Sequence, residues 1–592
     1  MDDISSDDVI EFETTITERH PHGKDASMGT TVVDGDTLRS STRSSTLEAI
    51  SQQDAGVYVT GRGALHGVSN GATGGIYIRG LGGSPNSQVL VVEDGVLDYQ
   101  GIFGHPIPDA YMPYLIDEVV VVKGGDSILY GTNAMGGVII INNRWRKTDG
   151  AELQNDASYG SFNTLRESVA VLAKRRRLDF SCAFTGFSSD GHRTGAGGNE
   201  MVGHGALRYR FKPRWRLEMR YKVIHVQGAD SGPASHPNPD HWYDVWRNNI
   251  SAGLNWKRDD SRLTFVPFFN TGIHRLYDGF LSRDYVTGGT LEWQFRPVQM
   301  ANVVLGISGQ YVDGHVENRS DGVTENVRSQ TDFSFYNQIA FRPFNWLTVT
   351  AGTREVYSLT YDFVFLSKMG IRLCLPKNLY FRTGVRRNFR QPTLRELYLP
   401  FPSANPDLKP EYATTADIET GYESEHFHAS VTGYRTRADN MIKYFGSWPT
   451  AEVVNIDHIT IAGVEGAIRV KKKESLFFNL SMDARDVGRY TKQNPSLKAN
   501  ATVGFDNRRL AADLAAEWVH GLYMSNYKTD GIDDVFFVDA QVRYRFKAAK
   551  NNHAFEPYLQ VRNLLNRSVS YVEDYPLPGI HIMVGLKLSV SS

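Results

Sequence analysis

Strict alternation of apolar and polar side chains, repeated from about Trp145 to the C-terminus, constrains this chain more than any other feature. Leu207, Tyr209 and Phe211 alternate with Arg208, Arg210 and Lys212. Leu476, Phe478, Leu480, Met482 and Ala484 alternate with Phe477, Asn479, Ser481, Asp483 and Arg485, and Val538, Ala540, Val542, Tyr544 and Phe546 with Asp539, Gln541, Arg543, Arg545 and Lys547. A period of two puts one face of a strand against an apolar phase and the other against water. A spanning helix needs about 18 consecutive apolar residues, and no stretch approaches that. A membrane strand averages to a soluble-looking hydropathy, so the negative mean hydropathy is compatible with a barrel.

The connectors alternate too. Short, often basic turns run from Lys174–Arg177 and Lys212–Trp215 through Leu375–Asn378 to Asp506–Arg509 and Lys547–His553. Longer polar loops are read at Ser188–His204, Gln227–Trp246, Asp313–Gln330, Arg387–Glu411, Arg435–Asp457 and His520–Asp534. Counting hairpins predicts about twenty-two antiparallel strands with turns at one end and loops at the other, the pattern of an outer-membrane barrel. A soluble sandwich has no reason for unlike ends.

A barrel that wide needs something in its lumen. Residues before Trp145 have the texture of a small α/β domain. Thr46–Ile50 reads as a helix start, and Val89–Val92 and Val119–Val122 read as buried strands. The reading is therefore a membrane all-β fold, a 22-stranded transmembrane barrel with an N-terminal α/β plug, divided into a leader over 1–22, a plug over 23–145 and a barrel over 146–592. The net charge of −2 gives no argument for nucleic acid as a partner, and none is expected. Cys182 and Cys374, the two cysteines, are far apart and read as unpaired. Met1–Ser6 lacks the basic and apolar regions of an export signal, so an exported form is expected to be mature or trimmed. No phosphate loop, zinc-spaced set or nucleophile elbow occurs, which weighs against an enzyme.

Four ordered elements of the plug carry a resemblance: Ile78–Gly82, Val89–Val96, Glu118–Gly131 and Ala134–Ile141. With Tyr159–Phe162, Asn388–Tyr398, Asn405–Glu411 and Val561–Asn566 in the barrel, the chain resembles the TonB-dependent receptor family over nearly its whole length. It departs at Ser592, where such barrels usually end in an aromatic, and at Gly124–Gly125 in place of glycine-proline.

The resemblance implies energy-coupled import of a scarce solute across the bacterial outer membrane by a monomeric barrel in lipid, driven through a TonB-type protein in the periplasm. Asp8, Val9, Ile10, Glu11 and Phe12 are the candidate coupling segment, a short extended strand able to add to a partner's sheet edge. Arg79 and Lys123 fall on lumen-facing plug segments and are expected to be structural charges with wall partners. The outward plug loops, about Gly61–Gly75 and Leu97–Asp109, bring Arg62, His66, Asp98, Tyr99 and His105 towards the external cavity. An external loop adds His236, His241 and Trp242. The solute class expected is a metal chelate: a siderophore, cobalamin or a small metal complex. Copper through His66, His105 and Met112 stays open. No histidine stands between Phe389–Pro392 and Asn405–Leu408, which lowers haem. No bound cofactor is expected. The alternatives are a receptor for a saccharide, peptide or surface protein, a passive porin, and a signalling receptor, which needs a further folded domain.

Overall fold

The computed structural model describes residues 28–592 except Arg62, 67–73, 84–86, 319–321, 400–402, 447–449, 472–475, Tyr490, Arg508, Tyr527 and 548–552. The expected coupling segment Asp8–Phe12 and Arg62 lie outside the described residues.

The plug begins with β1 (Thr30–Asp34), α1 (Gly35–Arg39) and α2 (Thr46–Gln53), and continues through β2 (Val57–Val59), β3 (Ile76–Ile78), β4 (Leu81–Gly83), β5 (Val89–Glu93) and β6 (Val96–Leu97). It ends with β7 (Ile116–Lys123), α3 (Ser127–Tyr130) and β8 (Gly137–Asn143). Local chemistry sets the helix starts: the Asp34 carboxylate accepts from Thr37 N at 2.8 Å, and Ser45 Oγ accepts from Glu48 N at 3.3 Å. A five-stranded sheet in the order β1-β7-β8-β5-β6 forms the plug's core, with β5 parallel to β8 and the other pairs antiparallel. Its central strands are apolar on both faces because both are covered. Val89, Val91, Val119, Val121, Ile139 and Ile141 pack towards wall residues Val202, Val226 and Val245. Their alternates Leu90, Val92, Val120, Val122, Val138 and Ile140 pack towards Phe268, Val304 and Tyr336. A second, three-stranded sheet, β2-β3-β4, lies beside it.

The wall runs from Gly150–Gly160 to His581–Ser591, and these two strands pair antiparallel to close the barrel. Val535–Tyr544 and Phe546–Lys547 both pair with His553–Arg562 and are one strand interrupted at Arg545, so the closed barrel has twenty-two strands. Outward residues Tyr209, Phe269, Trp293, Phe333 and Val464 are exposed, whereas inward neighbours such as Arg208, Glu465 and Asp483 are buried against the plug. That is an apolar band for lipid outside and a polar lumen within. Cys182 and Cys374 are free.

Two segments read as long loops are mostly strand. Ala301–Asn318 pairs with Val323–Phe344, and Phe427–Phe445 with Glu452–Lys471, so 313–330 and 435–457 are extended hairpins. Backbone pairing needs no apolar side chain. Once a strand rises past the lipid its outward face meets water, so polar residues there do not signal its end.

Candidate functional site

The outward end of the plug is built from the loop Gln100–Pro106. Gly104 N donates to Gln100 O at 2.7 Å and Gln100 N to His105 O at 3.0 Å. Gly104 has φ +69°, and a Cβ there would stand 2.5 Å from the Thr393 methyl, so glycine meets both the turn and the close approach. The loop rests on a wall element, α4 (Leu394–Tyr398), whose Arg395 N donates to Ile102 O at 3.0 Å. A capping box starts α4: Glu396 N donates to Thr393 Oγ1 at 3.2 Å and Thr393 N to Glu396 Oε2 at 2.8 Å. Arg390 secures it from below through Glu396, at 2.9 and 3.1 Å, and Glu411.

Half-buried aromatic rings collect around Arg395 on this base. Its guanidinium lies 5.8 Å from the centre of Phe103 and 5.4 Å from that of Tyr444. Phe103 is in turn 6.0 Å from the His105 ring and 6.2 Å from Phe280. Arg328 stands over Tyr398 at 5.9 Å. His105 Nδ1 donates to Pro106 O at 2.9 Å, which leaves Nε2 as the ring's acceptor. Burial, with Arg395 and Arg247 nearby, pushes the His105 pKa down to about 4, so the ring is neutral at physiological pH. A cation, apolar ring faces and a neutral imidazole can together hold a flat, anionic or metal-bearing solute.

The structure does not bring the other expected residues to this cluster. His66 is 2% exposed: Nδ1 donates to Asp109 Oδ1 at 2.7 Å and Nε2 lies 3.4 Å from Glu48. Despite burial, those carboxylates raise its pKa to about 10, so the ring is an imidazolium without the lone pair a metal requires. Asp98 is buried against Lys222, at 3.3 Å, and Asn249, at 3.1 Å. Tyr99 is buried too and donates its hydroxyl to Gln310 at 2.9 Å. Both join plug to wall. His236 bonds Ser235 Oγ at 3.0 Å, His241 stacks on Tyr277 at 3.6 Å, and Trp242 points outward from the barrel. Met112 packs against the plug's apolar core. The aromatic neighbours Phe103, Phe280 and Tyr444 come from three separate segments, and nothing in their spacing signals the meeting.

Below this end, charges lock the plug to the wall. Arg79, at φ +51° and 2% exposed, donates to Glu465 at 3.1 and 2.8 Å and to Asp417 at 3.1 Å. Lys123 donates to Asp54 at 2.9 Å and to Glu465 at 3.2 Å. Buried charges persist only when paired in this way. On the turn side two cavities separate plug from wall. One of about 1080 Å³ lies among β1, α1 and the turns, lined by residues such as His426, Lys471 and Arg543. Another of about 490 Å³ reaches Arg79, Lys123 and Glu465. Both are lined by Val32, Gln53, His428 and Arg469.

A closed barrel with an apolar outer band, a folded plug pinned inside it by ion pairs and a receptive surface at the plug's loop-side end define an outer-membrane solute importer. The chain belongs to the TonB-dependent receptor family: the model of the TonB-dependent Receptor Plug Domain matches residues 23–138, and that of the TonB dependent receptor-like beta-barrel matches 142–564. Membership carries with it a TonB-type partner, a small-molecule ligand and an outer-membrane location, in a family of receptors and transporters. The chain is similar to the vitamin B12 transporter BtuB of Vibrio vulnificus, 23% identical over 423 residues and 67% of each chain. Among solved structures it resembles the copper transporter OprC, with a TM-score of 0.79 at 13% identity over 95% of this chain and 98% of that one. The siderophore receptor PirA of Pseudomonas aeruginosa gives 0.75 at 15% identity over 95% and 99%.

Proposed function

We propose that this chain imports a metal chelate, captured at the outward end of the plug by Arg395, Phe103, His105 and Tyr444. The observation that carries this reading is the half-buried Arg395 guanidinium beside the Phe103 and Tyr444 rings, near a neutral imidazole whose Nε2 has no hydrogen-bond partner among the described residues. Relatives named for vitamin B12, copper and siderophores support the same class. In this reading residues 1–22 form a periplasmic leader whose Asp8–Phe12 strand pairs with the TonB-type protein by β-augmentation, residues 23–145 are the plug and 146–592 a monomeric barrel.

The test is calorimetric titration of the detergent-solubilised protein with cobalamin, ferric siderophores, haem and copper, alongside Arg395→Ala and His105→Ala. One metal complex is expected to bind, and Arg395→Ala to weaken it roughly tenfold or more, about 1.4 kcal/mol or greater. If none binds above an empty-detergent control, the metal-chelate reading fails and a saccharide, peptide or surface protein becomes the ligand to seek.

A further inference from the structure

Where the barrel's outer surface leaves the apolar band, three arginines stand together. Arg387, Arg435 and Arg437 are exposed and point out of the barrel, in register across three neighbouring strands. Arg387 pairs with Thr414 and Thr414 with Arg437, while one step lower Val385 pairs with Ala416 and Ala416 with Arg435. The strand between the arginines thus shows only the small residues Thr414 and Ala416, and two strand spacings put Arg387 and Arg437 roughly 10 Å apart. The result is a shallow trough with guanidinium walls.

Height follows from geometry. A strand tilted about 45° climbs about 2.4 Å per residue. Arg435 and Arg437 therefore stand roughly 19 and 24 Å above Phe427, which joins Tyr422 in an aromatic pair at the turn side. The apolar band of such a barrel is about 25 Å tall, so Arg437 stands at its upper edge in the leaflet nearer the loops and Arg435 one step inside it, from where its long side chain reaches the head groups. Directly beneath it Val385, Ile418, Val431 and Val464 are exposed and suit acyl chains.

Charge selects the occupant. Arg437 donates to Asp439 at 2.9 Å, and Arg387 lies 4.3 Å over the Tyr412 ring. Among the described residues the Arg435 side chain bonds nothing, and Asp439 is the one carboxylate bonded to the trio. Arg275, also outward-pointing at the rim, is instead within 3.5 Å of Asp244. Three guanidiniums with a single bonded carboxylate present planar, bidentate donors, the geometry that takes phosphate, and the next outward carboxylate, Asp486, stands two strands from Arg435 across Ala462. We propose that this trough binds the phosphate-bearing head group of an outer-leaflet lipid.

The test uses the whole purified protein in nanodiscs of neutral phospholipid, titrated with bis-phosphorylated lipid A and with the same lipid after phosphatase treatment, binding being read by native mass spectrometry. The parent is expected to retain the phosphorylated form, and R387Q/R435Q/R437Q to weaken it at least tenfold. The control R275Q/R283Q, which removes two other outward rim charges, is expected to bind as the parent does. Equal binding by the triple variant, equal retention of the dephosphorylated lipid, or an equal loss in the control would each overturn the proposal. If the triple variant does not fold, R435Q alone decides, with a threefold or greater loss expected and parental binding fatal to the idea. Solute binding at the plug plays no part in this readout.

Discussion

His66 keeps its proton inside the plug because Asp109 and Glu48 close on both sides of its ring. Its folded pKa of about 10 lies above the ordinary value of about 6.5, so the sign is clear. The stability it contributes is complete below pH about 6.5 and is lost as pH rises through about 10. We expect hydrogen exchange of the plug amides to accelerate between pH 7 and 10, after correction for the intrinsic rate, and this pH dependence to vanish in His66→Gln. The variant is expected to lose about 3–5 kcal/mol of plug stability, because it leaves buried carboxylates facing a neutral amide. An unchanged pH profile in the variant would show that another group governs it. The sequence displays His66 as a lone loop histidine, which reads most simply as exposed or metal-binding. Its partners lie 18 residues before and 43 after it, and only the folded plug brings them together. His105 is legible as an outward loop residue, but its neutrality depends on Pro106 O and on burial, neither of which the spacing reveals.

At the scale of elements, the wall is readable because each strand repeats one physical demand, and among the described residues the short turns of the sequence sit where two strands meet. Arg175 pairs with Leu178, Lys212 with Trp215 and Arg258 with Ser261. The hairpins that rise past the lipid look like loops in the sequence, since water on their outer face removes the alternation. The sheet β2-β3-β4 was invisible for a different reason: its strands are three residues each, too short to show a period. Backbone geometry, not pattern, holds it. Gly82 has φ +135°, and a Cβ there would stand 1.9 Å from Ile76 O. Gly82→Ala is therefore expected to prise β4 from β3 at a cost of about 1–3 kcal/mol. Exchange at Ile76–Gly83 should rise tenfold or more while the wall amides stay protected. Protection equal to the parent's would mean that the sheet relieves the clash by shifting as a unit.

For the whole molecule, the plug is not a uniform stopper. On the side of Val202, Ile224 and Val245 it meets the wall through apolar contact, whereas on the side of His428 and Arg469 the two cavities lie between plug and wall. Between those cavities and the loop side stand two barriers in series. One is the ion-pair lock of Arg79, Lys123, Asp54, Asp417 and Glu465. The other is the apolar contact of Leu81 and Met135 with wall residues Ala413, Ala438 and Ile461, which lie on or between the strands of the lock and nearer the loops. Glu465 bonds both cations of the lock, so Glu465→Ala leaves Arg79 and Lys123 buried with one carboxylate each, a loss of about 3–5 kcal/mol. The barrel strands keep their ladders and are expected to stay folded. In planar bilayers the parent is expected to be closed and Glu465→Ala to show brief conducting steps, because water already reaches the lock from the turn side. Steps in the variant would make the lock the governing barrier. A variant as silent as the parent would place that barrier in the apolar contact above it, and combining Glu465→Ala with Gly82→Ala should then open the path that neither change opens alone.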